Sequence, residues 1–344
     1  MTLTPQIYDE MEFRALQNCG QAQIVAFGSH TYEDYSFPTR VSDISQIARY
    51  IDGYVHLDYS RLEPGQFFRI TPIQTDYTQD EVDLFNVVSD GVEEITRKVC
   101  GKPYGARFNL CGSFGLFRVI RAVRKLADLE SLTIFEAGPG TGYTGLMAAM
   151  LGDNYASYDV TQGTYLWQSL LHDHFLEDNF KEYAFEKEYN IDRVTGSCHL
   201  PWWHFMDLRK NAPGNIDLVL SNANLGEMHR LCLKYLLRVA KLMMSSSPLG
   251  LFVFGGYGAT HLGSIEEIQN EFLQAGYRKV FEDRFFGYAI DDRAFPKDTV
   301  NSLETEVPLY SPGNVSKTYG AKEFVDLTSD TFTDEYYFYN YLAD

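Results

Sequence analysis

The residues best suited to chemistry lie between Glu136 and Asp159. Glu136-Ala137-Gly138-Pro139-Gly140-Thr141-Gly142 follows the apolar run LTIF and precedes the apolar stretch YTGLMAAML. Gly138, Gly140 and Gly142 let the backbone turn sharply and let a ligand approach with no Cβ in the way. Such a turn, at the carboxyl end of a strand in a doubly wound sheet, is where a nucleoside sits. Asp159 ends the next apolar stretch, about 20 residues on, where a carboxylate accepts from both ribose hydroxyls.

Two nucleoside classes compete for this pattern. Gly140, Gly142 and Gly145 also satisfy G-x-G-x-x-G, with Asp159 placed for a dinucleotide. In that motif the first glycine follows the strand directly, whereas Gly138-Pro139 intervenes here. Pro139 lacks the N–H a central strand needs, so the strand ends before it. Glu136 would repel a pyrophosphate. The same carboxylate accepts, through a water, from the amino-acid end of S-adenosylmethionine. The pattern favours this methyl donor, with Pro139 and Thr141 as further loop contacts. A glycine-rich turn that binds nothing is the remaining account.

Four segments, EAGPGTGYTGLMAAMLG, YDVTQGTYLWQ, LPWW and SNANLGEMHR, follow one another along the chain. In order and spacing they resemble the bacterial sugar O-methyltransferases, Rossmann-like class I enzymes dependent on S-adenosylmethionine. The likeness spans roughly residues 110–260. It implies methyl transfer to a hydroxyl of a sugar or glycosylated small molecule. It also implies donor contacts at Glu136, Gly138, Gly140, Gly142 and Asp159, with Thr161 and Gln162 beside the ribose or adenine.

Methyl transfer is an in-line displacement, so alignment supplies much of the acceleration. A sugar hydroxyl needs a base or a metal to help it lose its proton. In the implied fold, Ser221 to His229 lies over the donor methyl. Glu227 and His229 are the candidate bases, and Asn222 or Asn224 would orient the acceptor or the donor amine. The plainer roles are an exposed His229 on a first helical turn and a Glu227 facing a helix dipole. His204 and Asp207 with Glu227 would suit Mg²⁺, but without a D-x-x-D-D cluster no metal site is assigned. Trp202 and Trp203, between His199 and His204, read as adenine wall or core. Gly255-Gly256-Tyr257-Gly258 with His261 reads as an acceptor-side loop or a plain glycine turn.

The elements that position these residues begin near Leu132. LTIFEA, ASYDV, IDLVLSN and LGLFVFGG read as strands. Tyr143–Leu151, Thr161–Phe175 and Glu227–Met244 read as helices, with a fourth capped by Ser264 and Glu267. Strand–helix alternation gives a mostly parallel α/β sheet covered on both faces. Arg278–Ile290 and Phe332–Tyr341 read as later strands, an antiparallel hairpin at the sheet edge. From residue 1 to about 128, helical patches alternate with tyrosine-rich stretches such as His30–Pro38 and Gln74–Tyr77. Thr78 with Glu81 opens a helix that Gly101 stops, and a second opens at Ser113. The expected division is a mainly helical cap over residues 1–110, closing on the acceptor, and a donor-binding domain over 111–344.

Bulk properties narrow the partners. The 344 residues are 45% hydrophobic and 22% charged, as in a globular protein. The net charge of −18 argues against nucleic acid. Aromatic residues reach 15%, and tyrosines suit stacking on sugar rings as well as a core. Five widely spaced cysteines suggest no disulfide framework, and the opening residues lack a signal peptide's apolar run. No apolar stretch approaches the about 18 residues of a membrane span. The expectation is a cytoplasmic enzyme acting on a small molecule, of undetermined oligomeric state. Methylation of a non-sugar metabolite, a catalytically silent binding protein and a nicotinamide-dependent oxidoreductase are the alternatives.

Overall fold

The computed structural model describes residues 3–20, 40–47, 78–104, 106–185, 194–222, 224–255, 264–282 and 287–291. Its strands are β1 Thr133–Ala137, β2 Asn154–Asp159, β3 Phe180–Glu182, β4 Ser197–Pro201, β5 Leu218–Asn222, β6 Leu251–Gly255, β7 Tyr277–Glu282 and β8 Gly287–Asp291. Its α-helices are α1 Pro5–Leu16, α2 Gln79–Cys100, α3 Arg107–Leu126, α4 Tyr143–Met150, α5 Gln162–Leu176, α6 Trp202–Phe205, α7 Arg230–Met243 and α8 Ile265–Gln274.

The strands form one sheet in the order β3-β4-β2-β1-β5-β6-β8-β7. From β3 through β6 every pairing is parallel. β8 runs antiparallel to both of its neighbours, β6 and β7. The chain winds outward from β1 in one direction and from β5 in the other, so β1 and β5 flank the point where the order reverses. This is the doubly wound, Rossmann-like α/β class that the sequence implies, and it places the ligand crevice at the carboxyl ends of those strands.

Alternate residues of the central strands serve opposite layers, so all five residues of β1 are buried. Ile134, Leu218, Leu220, Leu251 and Val253 pack with Leu116, Val119, Ile120 and Val123 of α3. Phe135, Val219 and Phe252 join the larger core with Phe205 of α6, Leu236 of α7 and Phe272 of α8. Gly145 on α4 is a point of close approach, since a Cβ there would lie 1.9 Å from the Tyr155 ring.

Thr78 and Glu81 form the capping box of α2, and Gly101 ends that helix at φ 77°. Glu81 does more than cap. It is 4% exposed and takes both Nε (2.9 Å) and Nη2 (2.8 Å) of Arg118, fastening α2 to α3. Burial pushes its carboxyl up, but Arg118, the Thr78 N–H and Arg121 prevail and hold it below its usual value.

Several boundaries differ from the sequence reading. α3 begins at Arg107, well before Ser113, because its N-cap is Ala106, which has no side-chain bond to signal a start. α7 begins at Arg230 rather than Glu227, because His229 is its N-cap. The sequence reading assigns no element to Ser-Cys-His-Leu-Pro, yet it forms β4, with all five residues buried between β2 and β3. The stretch Arg278–Ile290, read as one strand, is the pair β7 and β8. Phe332–Tyr341, His30–Pro38, Gln74–Tyr77, Gly256–Gly258 and His261 lie outside the described residues. The division expected at residue 110 falls inside α3, and Leu3, Tyr8, Val41 and Phe85 share one core with Phe135. Among the described residues no helix is long and apolar enough to cross a membrane.

Candidate functional site

The glycine loop leaves β1 as its residues require. Gly138 donates to the Tyr158 carbonyl at 2.9 Å, and Pro139, with no N–H, ends the pairing. Gly138, Gly140 and Gly142 all have positive φ, at 67°, 60° and 77°. Gly142 is then the N-cap of α4. Two side chains of α5 hold the outer carbonyls of the loop. Trp167 Nε1 donates to Thr141 O at 3.1 Å, and Gln168 Nε2 to Gly140 O at 2.6 Å.

Two carboxylates stand behind this loop. Glu136 is 1% exposed and accepts the Tyr155 hydroxyl at 2.7 Å. Burial pushes its pKa up to about 7; Asp159 adds to the rise and Tyr155 opposes it. Asp159, at the end of β2, is also buried. Its Oδ1 accepts from the N–H of Val160 (2.7 Å) and Thr161 (3.2 Å) and from Thr164 Oγ1 (2.7 Å). Its Oδ2 accepts Gln168 Nε2 at 3.0 Å. Burial raises this carboxyl, while Thr164, Gln168 and the two backbone bonds pull it down. Gln168 thus ties Asp159 to the loop, and its Oε1 is a buried acceptor with no partner among the described residues.

Thr164, Trp167 and Gln168 were not singled out in the sequence. The signal for two of them was there: Thr161, Thr164 and Gln168 form a polar stripe at helical spacing on a largely buried helix. Thr161 itself is the N-cap of α5.

Gln162 does not face the loop. Its Oε1 accepts the Val41 N–H at 2.7 Å, and its Nε2 donates to Asp9 Oδ1 at 2.7 Å. The amino-terminal segment is thereby anchored beside Asp159. Tyr8 of α1 lies 5.1 Å from the Tyr165 ring and 5.2 Å from Trp203, and Trp202 Nε1 donates to Glu12 at 2.8 Å. Both tryptophans are buried in core packed against α1. The hydroxyl of Tyr8 is buried and has no partner among the described residues.

Past β5 the geometry is of another kind. Asn222 ends the strand, half-buried, in register with Gly255. Glu227 is half-buried in the turn that follows, its N–H donating to Asn224 O at 3.0 Å. His229 accepts the Leu231 N–H on Nδ1 at 3.2 Å. A neutral imidazole whose Nδ1 accepts carries its proton on Nε2, so this ring presents a donor rather than a base.

His204, Asp207 and Glu227 do not form a metal cage. His204 Nε2 lies 3.1 Å from Tyr183 O, a carbonyl to which it can only donate, and Asp207 pairs with Lys210 at 3.3 Å. Among the described residues no group of three or more His, Cys, Asp or Glu side chains is placed to hold a metal ion. His199 faces α5, with its Nδ1 3.2 Å from Ser169 Oγ and its ring 3.8 Å from Tyr165. Burial, followed by His172, keeps it neutral.

No protein-family model and no curated protein sequence matches the chain. Among solved structures it is similar to a TehB-like SAM-dependent methyltransferase from Corynebacterium glutamicum, at 13% identity and TM-score 0.35, over 51% of this chain and 88% of that one. It is similar to magnesium protoporphyrin IX methyltransferase from Synechocystis, at 13% identity and TM-score 0.36, over 61% and 100%. It is also similar to the bifunctional kinase-methyltransferase WbdD, at 12% identity and TM-score 0.38, over 62% and 47%. Likeness at this level leaves the chemistry to the site itself.

Proposed function

We propose that this chain is an S-adenosylmethionine-dependent methyltransferase acting on a hydroxyl of a sugar or glycosylated small molecule. One observation carries the choice of donor. Two buried carboxylates, Glu136 and Asp159, lie on neighbouring strands behind a glycine loop, and the charge of Asp159 disfavours that of Glu136. A ligand with cationic groups relieves that repulsion, whereas the pyrophosphate of a dinucleotide adds to it. The methyl donor carries an ammonium and a sulfonium, so the residues present fit it.

When bound, S-adenosylmethionine supplies a methyl on a positively charged sulfur, open to in-line attack. The chain's own residues do the rest. Gly138 to Gly142 admit the ligand close to the backbone, and Gln168 keeps Asp159 turned toward the loop. Glu227, on the adjoining turn, takes the hydroxyl proton as general base. His229, whose Nδ1 is engaged as a cap, donates from Nε2 to the acceptor instead. The sugar acceptor rests on the resemblance of YDVTQGTYLWQ and SNANLGEMHR to the sugar-directed family.

Isothermal titration tests the donor. S-adenosylmethionine should bind more tightly as pH rises through about 7, because a cationic ligand prefers the Glu136 carboxylate. Preference for the oxidised nicotinamide cofactor, or weaker binding of S-adenosylmethionine at higher pH, would overturn the reading.

A further inference from the structure

Asn224 occupies the turn between β5 and α7, 7% exposed, and both polar atoms of its side chain are engaged. Nδ2 donates to the carbonyls of Ala137 at 2.6 Å and Gly138 at 3.1 Å, while Oδ1 accepts the Ser221 hydroxyl. Its backbone carbonyl accepts the N–H of Glu227 at 3.0 Å and of Met228 at 3.2 Å. One residue therefore grips the donor loop with its side chain and the Glu227 turn with its backbone.

The chemistry at this point is restrictive. Two carbonyl acceptors and one hydroxyl donor must be met together, which an amide does and a carboxylate does not. Gly138 is the reciprocal half. Its φ of 67° already favours glycine, and a Cβ there would lie 2.0 Å from Asn224 Nδ2. The first glycine of the loop is thus required by the turn and by the amide that fills the space beside it. With these contacts made, both amide hydrogens are committed, so Nδ2 is not available to donate to an acceptor.

We infer that Asn224 is a positioning residue that sets the Glu227 turn against the glycine loop, so that donor binding at the loop also orders the turn. The inference rests on the methyltransferase reading for its ligand, but the clamp itself does not. Its importance follows from the reaction, because in-line displacement loses rate when base, acceptor and methyl are misplaced by about 1 Å.

Hydrogen exchange resolved by peptide, with saturating S-adenosylmethionine as the probe, tests it on the full chain. In the parent chain, exchange should slow by about tenfold both in the glycine loop and in residues 225–229. In Asn224→Ala the loop should keep its protection while the turn loses most of it. Ser221→Ala, which removes only the Oδ1 partner, should show the same uncoupling in part, and it serves if Asn224→Ala does not fold. Equal protection of both regions in either folded variant, or a turn that never responds in the parent chain, would overturn the inference. Absence of any S-adenosylmethionine binding to the parent chain would instead overturn the donor reading. Merely lower stability would shift the melting temperature and leave the coupled protection intact.

Discussion

The ends of β1 and β2 and the turn after β5 adjoin at the carboxyl edge of the sheet, yet they are built differently. At the first, Glu136 and Asp159 are buried, and Tyr155, Thr164, Gln168 and two backbone N–H groups hold them in place. At the second, Asn222, Glu227 and His229 are half-buried. The first region is preorganised by its hydrogen bonds; the second is the more accessible of the two. Ligand affinity should therefore depend on the first, and turnover on the second.

The sharpest way to break this contrast is Glu227→Gln. Turnover, followed as S-adenosylhomocysteine released with sugar acceptors, should fall by about a hundredfold or more while donor affinity stays unchanged. Normal turnover would remove Glu227 as the base.

A pH titration of stability sharpens the other side. Glu136 has a raised pKa in the folded chain, so between 4.5 and about 7 the folded state holds a proton that the unfolded state has released. Its stabilising contribution is complete below the lower value and is lost as pH rises through the upper, a span of about 3 kcal/mol. Glu136→Gln should flatten that slope in denaturant titrations across the window. An unchanged slope would mean that the carboxyl is not held as described.

Asp159→Ala should weaken donor binding by about 2 kcal/mol, by removing the carboxylate to which both ribose hydroxyls would donate. Calorimetry giving parent-like affinity would dissociate Asp159 from the ligand. His229→Ala should cost about 1 kcal/mol of stability through the lost cap, with turnover lowered far less than in Glu227→Gln. Loss of turnover equal to that of Glu227→Gln would restore the ring as the base. The smallest effect is expected at Tyr8→Phe behind the donor edge. Removing a buried hydroxyl with no partner among the described residues should leave stability unchanged or slightly raised, by at most about 1 kcal/mol. A marked loss in thermal unfolding would reveal a partner for that hydroxyl.

The legible features were those dictated locally. Gly138-Pro139-Gly140 ends a strand by itself, because proline has no N–H and glycine tolerates positive φ. Thr78 with Glu81 and Ser264 with Glu267 mark helix starts, because the bonds span three residues. What escaped depends on distant partners. Ser-Cys-His-Leu-Pro becomes a central strand only because β2 and β3 enclose it. Gln162 reads as a ligand neighbour beside Asp159, yet α1 and Val41, over a hundred residues away in sequence, take its amide.

The sequence by itself determined the glycine loop, its acidic partner, the α/β alternation and the resemblance that suggests a methyl acceptor. These follow from backbone geometry and short-range spacing, which a linear string records. The tertiary structure decided what each polar side chain does. His229 became a cap, Gln168 a brace and Asn224 a clamp, because a hydrogen bond is assigned by the partner that folding brings within reach, and such partners carry no mark in sequence.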